Sequence, residues 1–175
     1  AVMALKEKYP DLSVLQFDAH TDLMEEHEGT LYSHACVMRR VSDLGVPIVQ
    51  IGIRNINTEV HDYLKEKKLK NIYFAPKIPA LIKILSGLTK NVYLTVDLDA
   101  FDPSIMPSVA TPEPGGLGWY EVLNLIQGVA KQKNIVGADV VELAPIPGFN
   151  APDFLAAKLV YNIINYILNS KVKSP

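Results

Sequence analysis

Short apolar, β-branched runs alternate along the chain with longer amphipathic stretches. The apolar runs predict strands over residues 13–17, 48–53, 71–74, 92–96 and 136–141. The stretches between them predict helices near residues 2–9, 33–44, 58–69, 77–88, 119–133 and 151–168, the third opening on Thr58 as its N-cap. Strands that read as continuous hydrophobic runs, alternating with helices, indicate an α/β fold with a parallel sheet covered on both faces. No repeat, low-complexity tract or linker interrupts the pattern, so residues 1–175 read as a single domain. The densest Pro/Gly region, residues 103–118, is a loop directly after a strand.

Three of the strands end in polar groups of one chemical kind. LSVLQF runs into Asp18-Ala-His20-Thr-Asp22, VYLTV into Asp97-Leu-Asp99, and the last strand into Glu142. In open α/β sheets the ligand site lies outside the carboxyl ends of the strands. Packing gives no reason to deliver acids and an imidazole to that one edge. Carboxylate and imidazole are ligands for hard or borderline divalent metals. Converging Asp18, Asp22, Asp97 and Asp99 would have to stay partly protonated unless cations neutralised them. A pair of cations roughly 3.5–4 Å apart can also acidify a shared water. Cys36 is the only cysteine, so thiolate ligation is excluded. The mixed oxygen and nitrogen set favours Mn²⁺, with Zn²⁺, Co²⁺ and Fe²⁺ open.

Composition narrows the setting. With 175 residues the chain can bury a substantial core, and its hydrophobic content of 49% is that of an ordinary globular protein. A formal charge of −2 gives no reason to expect nucleic acid or an anionic membrane as partner. One cysteine allows no internal disulfide and favours a reducing, cytoplasmic setting. Lys6, Glu7 and Lys8 leave no signal-peptide pattern at the start. The apolar segment FLAAKLVYNIINYIL carries Lys158, Asn162 and Asn165 and is too short to span a bilayer.

The motifs DAHTD, DLDAFDP followed by TPEPGGL, and VVELAP resemble, in this order, those of the ureohydrolases: arginase, agmatinase and their relatives. The resemblance runs from about residue 12 to the last helix. It implies a three-layer α/β/α sandwich around a mostly parallel sheet, assembled as a homo-oligomer, a trimer or hexamer. It also implies two Mn²⁺ per subunit and hydrolysis of a small cationic guanidino compound to urea and an amine. Carried over by position, Asp18 and Asp97 would bridge the metals, Asp22 would complete one shell, and His20 and Asp99 would bind the other metal. Glu142 would bind the guanidinium, since a carboxylate can accept two parallel N–H bonds. His34 would carry a proton to the leaving amine, work suited to a group titrating near neutrality. Thr111 would line the pocket, and Asp102-Pro103 would shape the loop under the metals. His61, on a charged helix, and His27, in a loop, are expected to have no such role.

Relatives specific for arginine hold its α-amino acid end with Asn and Ser/Gly-rich residues after the first motif. Here that place holds Glu25, Glu26 and Glu28. This acidic run is either a solvated loop or a steering surface for a second positive charge. YSHACVMRR and TPEPGGLGW resemble agmatinases more than arginases, and the expected substrate is agmatine, giving putrescine and urea. Arginine, guanidinobutyrate and formiminoglutamate are the alternatives. A polyamine deacetylase on a related fold would show tandem histidines, and no His-His occurs.

Two departures from the family pattern stand out. The sequence has no Gly-Gly-Asp/Glu-His segment, which supplies the family's remaining metal ligand, and it opens without Met as though within a helix. It reads as the C-terminal two thirds of the family domain, truncated at the amino end, with an inactive fragment of weak metal binding as the alternative. Ala110 stands where relatives usually carry Gly, which would be strained if that position needs positive φ.

Overall fold

The computed structural model describes residues 1–171. Its strands are β1 (Leu12–Phe17), β2 (Ile48–Ile53), β3 (Ile72–Phe74), β4 (Asn91–Asp97) and β5 (Asn134–Val141). They form one five-stranded sheet in the order β3-β2-β1-β4-β5. Every neighbouring pair is parallel. Parallel neighbours need crossovers, and the chain supplies helices for them. These are α2 (Val37–Asp43), α3 (Thr58–Glu66), α4 (Leu81–Gly87) and α5 (Trp119–Ala130), with α1 (Val2–Lys8) before the sheet and α6 (Ala151–Lys171) after it.

The two-residue alternation of a strand sends its side chains to opposite faces. Leu15 and Phe17 of β1 join Val49, Ile51, Leu94 and Val96 beneath α4, α5 and α6. Leu12 and Val14 join Ile48 and Tyr93 beneath α2 and α3, where Met38, Val41, Val60 and Tyr63 meet them. The result is the three-layer sandwich, with apolar clusters on both faces of its sheet. Burying a side chain such as Phe17 or Leu94, both fully buried, contributes about 1.5–3 kcal/mol.

Several element boundaries differ from the sequence reading for local reasons. The helix expected from residue 33 begins as a tight turn over His34–Cys36, and the α-helix starts only at Val37. That turn is held by a bond from the backbone N–H of Met24 to the carbonyl of Ala35, 3.1 Å long. The cap of α3 is Asn57, not Thr58: its side chain accepts from the N–H of Val60 at 2.8 Å. Helix α4 begins at Leu81 rather than near 77, since Pro79 disfavours helical backbone at residue 78. Ala110 is not among the residues with positive φ, so the expected strain there is absent.

The strand order has a functional consequence. From β1 the chain winds outward through β2 and β3, then returns to place β4 on the other side of β1 and continues to β5. The crevice between β1 and β4 is therefore the topological switch point, where helices leave the sheet in opposite directions and a cleft opens. Phe17, the last residue of β1, pairs with Val96, and the polar ends of both strands emerge there side by side.

Candidate metal centre

Asp18 follows β1 and Asp97 closes β4, and both are buried. The chain beyond each strand turns at once so that the next polar groups face inward. Asp18 Oδ1 accepts from the backbone N–H of His20 at 2.6 Å, and Asp97 Oδ1 from that of Asp99 at 2.9 Å. The two motifs are tied to one another. Asp99 accepts from the backbone N–H of Ala19 at 2.9 Å and from His20 Nδ1 at 2.8 Å. One ligand atom from each of Asp18, His20 and Asp99 lies within 4.8 Å of the others. Asp22 adds its carboxylate from a backbone with φ 52. A non-glycine residue held in the left-handed region marks a position fixed by its surroundings rather than by local preference.

Electrostatics show that this cluster is short of positive charge. Burial, then the neighbouring Asp22, Asp97 and Asp99 carboxylates, push Asp18 well above the usual carboxylate range. Asp97 is pushed up to about 9, first by burial and then by Asp99. Burial raises Asp22 to about 7, against the attraction of His20. Burial also works against Asp99, yet the hydrogen bonds from His20 and Ala19 hold it below its ordinary value. The His20 imidazole is raised in turn, chiefly by that bond to Asp99. Protons therefore stand where cations of higher charge would stabilise the ionised carboxylates, and the oxygen-rich donor set with one imidazole suits a hard or borderline divalent ion. Asp18, His20 and Asp99 form a candidate metal-binding cluster, flanked by Asp22 and Asp97.

All eight residues singled out in the sequence line one cleft of about 500 Å³: Asp18, His20, Asp22, Asp97 and Asp99 together with His34, Thr111 and Glu142. Glu142 follows β5 with φ 66, a second polar residue held in the left-handed region. The His34 ring lies edge-on to His27, with ring centroids 5.5 Å apart. His27 thus lines the cleft, although its surroundings in the sequence gave no sign of that. His61 is exposed on α3, as expected. The acidic run does not reach the cleft. Glu25 pairs with Arg39 at 2.7 Å, and Glu26 and Glu28 are exposed and absent from its lining. Among the described residues no Lys or Arg lines the cleft, whereas Asp139 adds a further carboxylate.

Gln16, Gln50 and Arg54, polar residues outside the quoted motifs, also tie the site together. Gln16 and Gln50 interrupt otherwise apolar central strands and pair with each other in register. Arg54, just after β2, donates to the carbonyls of Asp99 at 2.7 Å and Glu113 at 2.6 Å, tying the DLDAF turn to the TPEPGG loop. Asp102 accepts from the backbone N–H groups of Ser104, Gly115 and Gly116, each at 3.0 Å. Bonds from Ser104, then from the two glycines, hold its carboxyl down at about 2. The Asp102-Pro103 step does shape that loop, through this carboxylate.

Residues 1–165 match the model of the arginase family. The chain belongs to that family. The N(1)-aminopropylagmatine ureohydrolase of Synechocystis sp. is 45% identical over 159 residues, a stretch that covers 88% of this chain and 52% of that relative. The agmatinase of Pyrococcus horikoshii is 32% identical over 163 residues, covering 89% and 58%. Among solved structures, the agmatine ureohydrolase of Thermoplasma volcanium superposes with a TM-score of 0.82 at 30% identity, covering 99% of this chain and 61% of that one. The chain thus spans little more than half the length of the relatives it matches. Among its described residues no helix is long and apolar enough to cross a membrane.

Proposed function

We propose that this arginase-family chain carries the site of a manganese-dependent ureohydrolase acting on agmatine. The observation that supports it most is the convergence of five potential ligands with His34, Thr111 and Glu142 in one cleft. In this reading Asp18, His20, Asp22, Asp97 and Asp99 hold two Mn²⁺, which when bound supply Lewis acidity and a more acidic water. Glu142 accepts N–H bonds from the planar guanidinium and fixes its orientation. Thr111 lines the pocket beside it. Water adds its oxygen to the guanidinium carbon, and the bond from that carbon to the chain nitrogen breaks. His34 delivers the proton that the departing amine requires, so that urea and putrescine leave.

The charge pattern of the cleft supports a substrate with a cationic tail and no carboxylate. No Lys or Arg lines it among the described residues to receive the carboxylate of arginine or guanidinobutyrate, while Asp139 and Glu142 add negative charge. A longer cation is the second reading, favoured by the 45% identity to a relative named for N(1)-aminopropylagmatine. Urea release from agmatine, N(1)-aminopropylagmatine, arginine and guanidinobutyrate after Mn²⁺ loading tests both readings. We expect urea from the first two and little from the last two. A preference for arginine would overturn the substrate assignment. Metal bound without urea from any of them would overturn the reaction class.

A further inference from the structure

One rung below the acidic strand ends, the sheet carries polar side chains where packing calls for apolar ones. Gln50, Gln16, Thr95 and Asp139 are successive register partners across β2, β1, β4 and β5. Gln50 is 0% and Gln16 3% exposed. A buried amide is costly unless its hydrogen bonds are made. These two make theirs in a defined sequence, apart from Gln50 Oε1, which has no partner among the described residues. Gln50 Nε2 donates to the carbonyl of Thr21 at 2.7 Å and to Gln16 Oε1. With its oxygen engaged there, the Gln16 amide must turn its nitrogen the other way. Gln16 Nε2 then donates to Asp18 Oδ2 at 2.6 Å and to Asp22 Oδ2 at 3.3 Å.

We propose that Gln16, locked by Gln50, is a positioning residue for the cation centre, fixing the carboxylates of Asp18 and Asp22 in the orientation that receives metal. This rests on the metal reading above. Asp18 is gripped at both oxygens, by Gln16 on Oδ2 and by the His20 backbone N–H on Oδ1. Each carboxylate oxygen has a second lone pair free for a cation. One amide nitrogen thus reaches two ligands contributed by a strand end and the loop after it, and a ligand oriented in advance need not be ordered when the ion arrives. A neutral donor suits the place better than Lys or Arg, whose charge would compete with the cations. A glutamate would lack the donors and add to the repulsion. The Gln50–Thr21 bond also anchors the DAHTD segment to β2, so the pair fixes both the carboxylates and the backbone that carries Asp22.

The test compares wild type with Gln16→Met and Gln50→Met, which keep much of the volume and lose the donors. Mn²⁺ affinity is read by calorimetric titration, and the Tm is read in EDTA. A positioning role predicts that Gln16→Met weakens Mn²⁺ binding about 10–100-fold, and that Gln50→Met weakens it less, without a fall in the metal-free Tm to match. A purely structural role predicts the reverse: Mn²⁺ affinity within twofold of wild type and a lower Tm. That result would overturn the proposal. Should Gln16→Met fail to fold, Gln50→Met decides by the same readouts, because it frees the Gln16 amide to rotate. Tight Mn²⁺ uptake by wild type with unchanged affinity in the variants removes this inference alone. No uptake by wild type removes the metal reading and this inference with it.

Discussion

His20 Nδ1 and Asp99 Oδ2 lie 2.8 Å apart, joining two strand ends separated by 79 residues of sequence. A proton sits between them where, in the reading above, a divalent ion would take both as ligands. Protons and metal therefore compete for one set of atoms, and that competition gives the site its pH dependence.

Without metal, stability should fall as pH rises. Asp97 and Asp22, raised to about 9 and about 7 by burial, favour the folded state while protonated. Their contribution is complete below the unfolded value near 4 and is lost as pH climbs through the folded ones. His20, raised by Asp99, contributes below its unfolded value near 6.5 and loses that contribution at higher pH. Asp99, held low, acts oppositely, but only in acid below about pH 4. Melting curves in EDTA from pH 5 to pH 9 should show a declining Tm, and the gain from added Mn²⁺ should grow over the same range. A metal-free Tm that rises with pH would contradict this.

Asp97→Asn mimics the protonated side chain. At pH 8 it should raise metal-free stability by about 1–2 kcal/mol, or roughly 2–8 °C in Tm. It should also abolish the stabilisation by Mn²⁺. A stable variant that still gains from the metal would remove Asp97 from the ligand set.

The second glycine of TPEPGGL is a packing requirement. A Cβ on Gly116 would lie 2.5 Å from the backbone nitrogen of Asp102 and from the carbonyl carbon of Phe101, and backbone atoms cannot yield as a flexible side chain can. Gly116→Ala should cost about 2–4 kcal/mol, read as a lowered denaturation midpoint, and should weaken metal uptake by displacing the DLDAF turn. Gly115→Ala meets no neighbouring atom, and its penalty comes only from φ +78.

Much of this architecture was legible in the sequence. Largely apolar, β-branched runs such as VYLTV, alternating with helical stretches, read as buried parallel strands, and acids at three strand ends had one edge on which to meet. What remained hidden depends on tertiary context. No local propensity announces the left-handed backbone of Asp22 and Glu142. Asn57 displaced Thr58 as a cap because both residue types suit the role and only the entry angle of the chain selects between them. Gln16 and Gln50 were visible as polar residues in apolar strands, but their meaning required the register that pairs them.

Arg54 acts as a clamp rather than an ion-pair partner. Its guanidinium donates to backbone carbonyls of Gly52, Asp99 and Glu113 at 3.1, 2.7 and 2.6 Å, and burial lowers its pKa in spite of the nearby acids. Arg54→Lys keeps the charge and loses the fork. It should still destabilise the protein by about 1–3 kcal/mol and expose residues 103–118 to limited proteolysis. Cleavage no faster than in wild type would show that the loop is held by other contacts.

Glu142→Gln and His34→Asn should separate binding from proton transfer. Both variants should keep full Mn²⁺ uptake. Glu142→Gln should raise KM for the guanidino substrate as well as lower kcat, whereas His34→Asn should lower kcat about 10²–10⁴-fold with little change in KM. Loss of metal from either variant would assign it to the cation centre instead.

The most direct measurement of the central claim is an anomalous-scattering map from crystals soaked in Mn²⁺. Two manganese peaks are predicted, enclosed by Asp18, His20, Asp22, Asp97 and Asp99. Manganese found only elsewhere, with these carboxylates bonded to one another or to water, would contradict it.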